Sequence, residues 1–206
     1  MNGNSGAVVA RTLSVSAGAV AALTAMLLIS GCAFTTGHVN LEYQSQTPAT
    51  KIAGADSPHV AVEVTDKRPT QIVGQKINGL GMKTADIVSD SDVPGTLKSA
   101  FETELNDRGF TVGPGGVLIA VKLSSLQNQF TVGFFSGEAT ANMGMDVTVK
   151  RADGAVAYDK YITGQNQEWI ELATPGNAQD TLDAAMRDAV SKVFSDSAFI
   201  EALKKP

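Results

Sequence analysis

The chain of 206 residues has one cysteine, two histidines and one tryptophan. A lone cysteine closes no internal disulfide and builds no cysteine-rich zinc site. His38 and His59 leave little for metal or acid–base chemistry. Charge is sparse as well: 18% of residues are Asp, Glu, Lys or Arg, against about 25% in ordinary soluble domains. What charge there is leans acidic, 21 residues against 16, for a net of -5. That balance argues against a general nucleic-acid binder, which needs basic surface to displace counterions from phosphates. A dinucleotide fingerprint is missing too, because Gly79 and Gly81 are followed by Thr84 where a third glycine belongs. Gly133-Phe134-Phe135-Ser136-Gly137 places its serine one position late for a nucleophile elbow. Asp86, Asp90 and Asp92 lack the turn glycine and closing glutamate of a calcium loop. No catalytic residue, metal site or cofactor is expected.

The N-terminus carries the most specific signal. No Asp, Glu, Lys or Arg lies between Arg11 and Glu42, and Ala19 to Ile29 is an apolar core of signal-peptide length. Behind it stands Leu28-Ile29-Ser30-Gly31-Cys32. That run resembles the lipobox of bacterial lipoproteins: small residues at 30 and 31 let a peptidase close on the backbone. The Cys32 thiol is then the nucleophile that carries a thioether-linked diacylglycerol. Thr12 to Ile29 is also nearly long enough to span a bilayer, but five Thr, Ser and Gly residues dilute it. The expected organisation is a cleaved signal peptide at 1–31, a lipidated tether at 32–37 and one domain at 38–206. Cleavage before Cys32 leaves 175 of the 206 residues and, with Arg11 gone, a net charge of -6. Acyl chains on Cys32 are expected to hold the chain at a membrane, since two or more anchoring signals bind stably. Ala33 stands where an aspartate would retain a lipoprotein at the inner membrane, so the expected location is the periplasmic face of the outer membrane.

Hydrophobic periodicity sets the rest. His38 to Gln44, His59 to Thr65, Val117 to Leu123 and Ala139 to Lys150 alternate as strands. One or two short strands are expected within 70–91. Ala152-Asp153-Gly154 reads as a hairpin turn leading to a return strand through Val156, Tyr158 and Ile162. Asp92 and Pro94 start a helix whose stripe is Leu97, Phe101 and Leu105, and Gly109 ends it. A second helix follows Thr174-Pro175-Gly176-Asn177, with Leu182, Met186, Ala189, Val190 and Val193 on one side; a last turn or two carries Phe199, Ile200 and Leu203. One-faced strands and one-faced helices need each other to bury apolar surface. The expected fold class is α+β, a mostly antiparallel sheet with two α-helices packed on one face.

Taken in order, these segments resemble the YajG-like lipoprotein family. The resemblance rests on His38 to Gln44, Val60 to Arg68, Leu97 to Leu105, Asp107-Arg108-Gly109-Phe110 through Pro114, Met145 to Ala157, and Ala189 to Leu203. It implies an envelope lipoprotein with a compact α+β domain and no recognised catalytic motif. Segments 131–137 and 165–174 depart from the family's pattern and read as loops.

Candidate contact residues lie at the ends and loops of these elements. Asp66 and Arg68 close a strand, either as a strand-end ion pair or as a ligand or partner site. Phe134 and Phe135 are adjacent aromatics between glycines; they tuck onto the domain or form an exposed apolar tip. Trp169, with Ile170 and Leu172, packs into the core or extends that surface. The expected function is a non-enzymatic interaction or assembly module, tied to the membrane by its lipid and to an envelope protein partner. The alternative is a binding module for a small glycan or lipid, with Trp169, Tyr158 and Tyr161 supplying stacking faces. A concave pocket joining those residues to Asp66 and Arg68 would favour it.

Overall fold

The strictest alternation in the chain becomes the middle of a sheet. In this computed structural model residues 34–45, 49–55, 59–132 and 136–205 are described, and residues Thr35–Pro206 form one compact unit. Within it, β6 (Gly137–Lys150) buries Ala139, Ala141, Met143, Met145, Val147 and Val149 on one side. It pairs antiparallel with β5 (Val117–Val132) and β7 (Val156–Ile170), and β5 pairs in parallel with β2 (Val60–Asp66). The resulting order is β2-β5-β6-β7. A smaller sheet has the order β1-β4-β3, built from β1 (Gly37–Val39), β3 (Ile72–Ile77) and β4 (Lys83–Ser89). There β1 and β4 are parallel, while β3 and β4 form a hairpin.

Helix α1 (Val93–Arg108) starts where Asp92 accepts a hydrogen bond from Gly95 N–H at 3.2 Å, with Pro94 in the tolerated first turn. It ends at Gly109, whose φ of 93° is left-handed and suits a residue without Cβ. Helix α2 (Pro175–Ser195) is capped by Thr174, which accepts from Asn177 N–H at 3.2 Å. Asp196 then separates α2 from α3 (Ser197–Leu203) and caps the latter through Ala198 N–H at 2.9 Å. The apolar stripes of all three helices join the inward rows of the four-stranded sheet in one core. The opposite face of that sheet is polar: Gln127, Gln129, Asn142, Gln165 and Gln167 are exposed on it.

The α+β class is as the periodicity predicts. Two sheets replace the single expected one, and three helices the expected two, because Phe199 and Leu203 nucleate a short separate helix rather than a fraying turn. The strand read from His38 to Gln44 stops at Val39. Beyond it the backbone turns to side chains for partners. Gln179 accepts from Asn40 N–H at 3.1 Å, Ser91 from Leu41 N–H at 3.0 Å, and Asp183 from Glu42 N–H at 3.0 Å. β5 runs past Leu123 to Val132 because a register shift at Ser124 returns Leu126 and Asn128 to the buried side. Residues 165–170, read as a loop, are the last six residues of β7. Past α1 the chain makes a single parallel bridge, Val60 to Val112.

Helix α2 holds the two sheets in place. Gly164 on β7 lies under it so closely that a Cβ there would overlap Ala185 O and come within 2.7 Å of Ala189 Cβ. The same helix covers the free edge of β7: Asp188 accepts from Gln165 N–H at 2.9 Å, Lys192 donates to Thr163 C=O at 3.0 Å, and the two side chains pair at 2.7 Å. A long bare edge is a template for another strand, and these bonds occupy its centre. Asn128 in β5 donates to Thr181 of α2 at 2.9 Å and abuts Gly74 of β3, which joins the small sheet to the large one.

Two outcomes follow from α2. Gly164→Val should lower the urea midpoint strongly, by about 3 kcal/mol of unfolding free energy, since a branched side chain must push the helix off the strand. A near-normal midpoint would disprove the close approach. Asp183 is buried, and burial pushes its carboxyl up from 3.8 to about 6. Between those values the folded chain holds a proton that the unfolded chain has lost, so stability falls as pH rises through that window. Asp183→Asn keeps the acceptor for Glu42 N–H and removes the charge. It should melt higher than wild type near neutral pH and equally at about pH 4; melting curves that stay parallel at all pH would contradict this.

Candidate functional site

Asp66 is the last residue of β2, where Lys67 N–H still bonds Leu123 C=O at 2.8 Å. The chain then turns on itself: Asp66 Oδ1 accepts from Arg68 N–H at 3.0 Å, the local turn that aspartate side chains favour. The guanidinium of Arg68 folds back as a fork, with Nε 3.0 Å from Oδ1 and Nη2 2.7 Å from Oδ2. Its side chain is only 5% exposed. These bonds hold the Asp66 carboxyl below the usual carboxylate range despite some burial. The pair lines a cleft of about 400 Å³ with Gln71, Ser89, Ser91 and Asp92. Arg68 Nη1 is buried there and has no hydrogen-bond partner among the described protein atoms. An aspartate so committed is neither a free base nor a nucleophile; the geometry is that of a strand-end ion pair.

The nearby aspartates have separate tasks. Asp90 meets His38 at 2.8 Å, Asp86 pairs with Lys83 at 2.6 Å, and Asp92 caps α1. Among the described residues they do not converge on one point.

A second polar cluster is invisible in the sequence. Glu104 sits on the buried face of α1, accepts from Tyr43 O–H at 2.6 Å, and is ion-paired with Arg108 one turn on. Burial works to raise the Glu104 carboxyl, but hydrogen bonds from Tyr43, Ser45 and Arg108 outweigh it and hold the group below its ordinary value. Burial and the adjacent Glu104 push the Tyr43 phenol well above its own. Arg108 also lies over the Phe194 ring at 4.7 Å. The cluster opens on a polar cavity of about 530 Å³ lined by Arg187, Asp188, Asn166 and Glu168. In the sequence Glu104 simply stands four residues before Arg108, a spacing commonplace on helix surfaces that marks no cluster.

The aromatic candidates do not gather at either cleft. Tyr158 is in the core, where its hydroxyl donates to Asp196 at 3.1 Å and its ring packs edge-on against Phe199. Tyr161 lies on the outer sheet face, close over Gly144. Trp169 is 76% exposed near the end of β7, opposite Glu138, which settles core packing against it. Ile170 is buried and Leu172 exposed. Among the described residues, the cleft that holds Asp66 and Arg68 is lined by none of Tyr158, Tyr161 and Trp169. Phe134 and Phe135, like Leu28, Ile29, Ser30, Gly31 and Cys32, lie outside the described residues.

One known structure supports the fold. A crystal structure of a Xanthomonas campestris protein superposes with a TM-score of 0.55 at 9% identity, covering 80% of this chain and 96% of that one. A minor lipoprotein from Acinetobacter baumannii gives a TM-score of 0.46 at 10% identity, covering 69% of this chain and 92% of its own. At such identities the first likeness bears on fold alone. No curated protein matches the chain in sequence. A family model described as "Uncharacterized lipoprotein" matches residues 45–204, from the segment that reaches Glu104 to the end of α3. The chain therefore belongs to this family of bacterial lipoproteins, Lipoprotein_16.

Proposed function

We propose that this lipoprotein is held by acyl chains on Cys32 at the periplasmic face of the outer membrane, where it serves as a non-enzymatic interaction module of the YajG-like kind. One coincidence carries the reading. The family match begins at residue 45, so the lipobox at residues 28–32 is separate evidence for the same anchor. The non-enzymatic reading is supported by the way three carboxylates with lowered pKa are engaged. Asp66 is held by Arg68, Glu104 by Tyr43 and Arg108, and Asp196 by Lys160 and Tyr158. Active sites leave such groups free to meet substrate. What the domain offers instead is the uncovered face of the four-stranded sheet, with its rows of amide and hydroxyl side chains, as a surface for an envelope protein.

Cys32→Ala should abolish acylation and move the protein from the membrane pellet to the soluble periplasmic fraction. Ala33→Asp should shift it from the outer-membrane to the inner-membrane band of a density gradient; wild-type protein found in the inner band would refute the proposed location. For the interaction, a photoreactive residue placed at Gln127 or Gln165 should capture a discrete envelope protein in intact cells. If irradiation yields only the free monomer from both positions, the partner reading fails.

A further inference from the structure

We infer that one end of the domain, bearing Leu80, Met82, Trp169 and Leu172, docks onto the bilayer that holds the lipid. The inference rests on the reading of Cys32 as the anchored residue. Four turns and chain ends meet at this end. The β3–β4 turn carries Leu80, 82% exposed, and Met82, 55% exposed. It lies beside the end of β5, since Ile77 and Gly81 line one cavity with Phe130 and Thr131. The start of β6 pairs with the end of β7, Gly137 with Ile170 and Glu138 with Trp169. Three residues past Leu172, itself 73% exposed, Pro175 opens α2 and touches the start of β1: a Cβ on Gly37 would stand 3.0 Å from Pro175 Cγ and 2.9 Å from Lys76 Cε.

The chain enters β1 from this same end. β1 runs parallel to β4, with Gly37 beside Ile87 and Val39 beside Ser89, and β4 leaves the turn at Lys83. The polypeptide therefore reaches Gly37 from the side of that turn. Cys32 is five residues upstream, a span of at most about 18 Å when fully extended. An acyl group on Cys32 thus confines this end, and not the opposite one at the Ala152-Asp153-Gly154 turn, to the neighbourhood of the lipid headgroups. Among the described residues of the unit, the exposed large apolar side chains other than these four are Val156 and Tyr161. An indole with neighbouring aliphatic side chains favours the headgroup boundary of a bilayer. Glu168 and Glu171 flank Trp169, so the contact is apolar in origin and gains nothing from anionic lipid.

Trp169 is the one tryptophan of the chain, and its emission reports this end alone. The mature protein, purified with its acyl chains, is reconstituted in vesicles of phosphatidylethanolamine and phosphatidylcholine, part of the latter brominated in its acyl chains. The emission should shift to the blue and be quenched about twofold by the bromine, with no gain when phosphatidylglycerol replaces part of the phosphatidylcholine. Combining Leu80→Ser, Met82→Ser and Leu172→Ser changes exposed side chains only. It should remove most of the quenching while circular dichroism and flotation with the vesicles are retained. A lipidated wild-type protein that floats but keeps a water-exposed, unquenched indole overturns the docking and leaves the anchor standing. A blue shift that appears only after extracted envelope proteins are added overturns it in favour of a protein partner. Mass spectrometry finding no acyl group on Cys32 overturns the anchor reading and the docking with it.

Discussion

The packing of α2 across the inner face of β6 and β7 is the constraint on which the rest of the structure depends. Apolar residues Leu182, Met186, Ala189, Val190 and Val193 supply the buried stripe, and Gly164 lets the helix backbone come down onto the strand. The flanks of the same helix do different work. Gln179 and Asp183, four residues apart, take up the backbone N–H groups of Asn40 and Glu42. Asp188 and Lys192, also four apart, occupy backbone groups at the edge of β7. A one-turn spacing puts each pair on one side of the cylinder, so one helix fixes the chain's entry segment on one flank and closes the sheet's edge on the other.

That arrangement explains what could and could not be read from the sequence. The alternation of β6, the caps Asp92, Thr174 and Gly109, and the stripes of α1 and α2 are local patterns, and each appears where periodicity puts it. The division into two sheets is set by the parallel pairs β1 with β4 and β2 with β5, which join residues some 50 apart and leave no local mark. Val39 and Leu41 keep a strand-like alternation and are both buried, yet the strand ends between them because side chains from α2 and Ser91 replace the neighbouring backbone. Tyr43 and Glu104 meet across 61 residues for the same reason. Trp169 shows the complementary failure: its apolar neighbours Ile170 and Leu172 argued more for burial than for exposure, and only the β7 register separates buried Ile170 from exposed Trp169.

The engaged polar groups of the domain act on its stability in two opposite senses. Four carboxylates are held below their ordinary range: Asp66 by its neighbour Arg68 and Glu201 by Lys204, both local, and Glu104 and Asp196 by donors from distant segments, Tyr43 and Lys160 with Tyr158. Each such group, ionised in the fold, adds stability above its unfolded pKa and loses it as pH falls through the folded one. Asp183 runs the other way, being protonated more readily in the fold than outside it. The electrostatic design thus balances one costly buried acid, kept for its bond to Glu42, against several favourable pairs.

A short tether turns this fold into an orientation. Strands β5, β6 and β7 run from the end that carries the β6–β7 turn to the end where the chain enters β1. At roughly 3.3 Å per residue, the 16 residues of β5 span about 50 Å. If the chain-entry end rests on the bilayer, these strands stand along the membrane normal rather than lying flat. The polar sheet face is then neither pressed against lipid nor turned away from the periplasm, but presented sideways over most of its length. An acidic chain of net charge -5 has no electrostatic attraction to an anionic leaflet. On the docking reading, its stance comes from two apolar contributions, the acyl chains and the exposed side chains at one end. On the proposed reading, the amide rows of the outer face set specificity for a partner by hydrogen bonds rather than by long-range attraction.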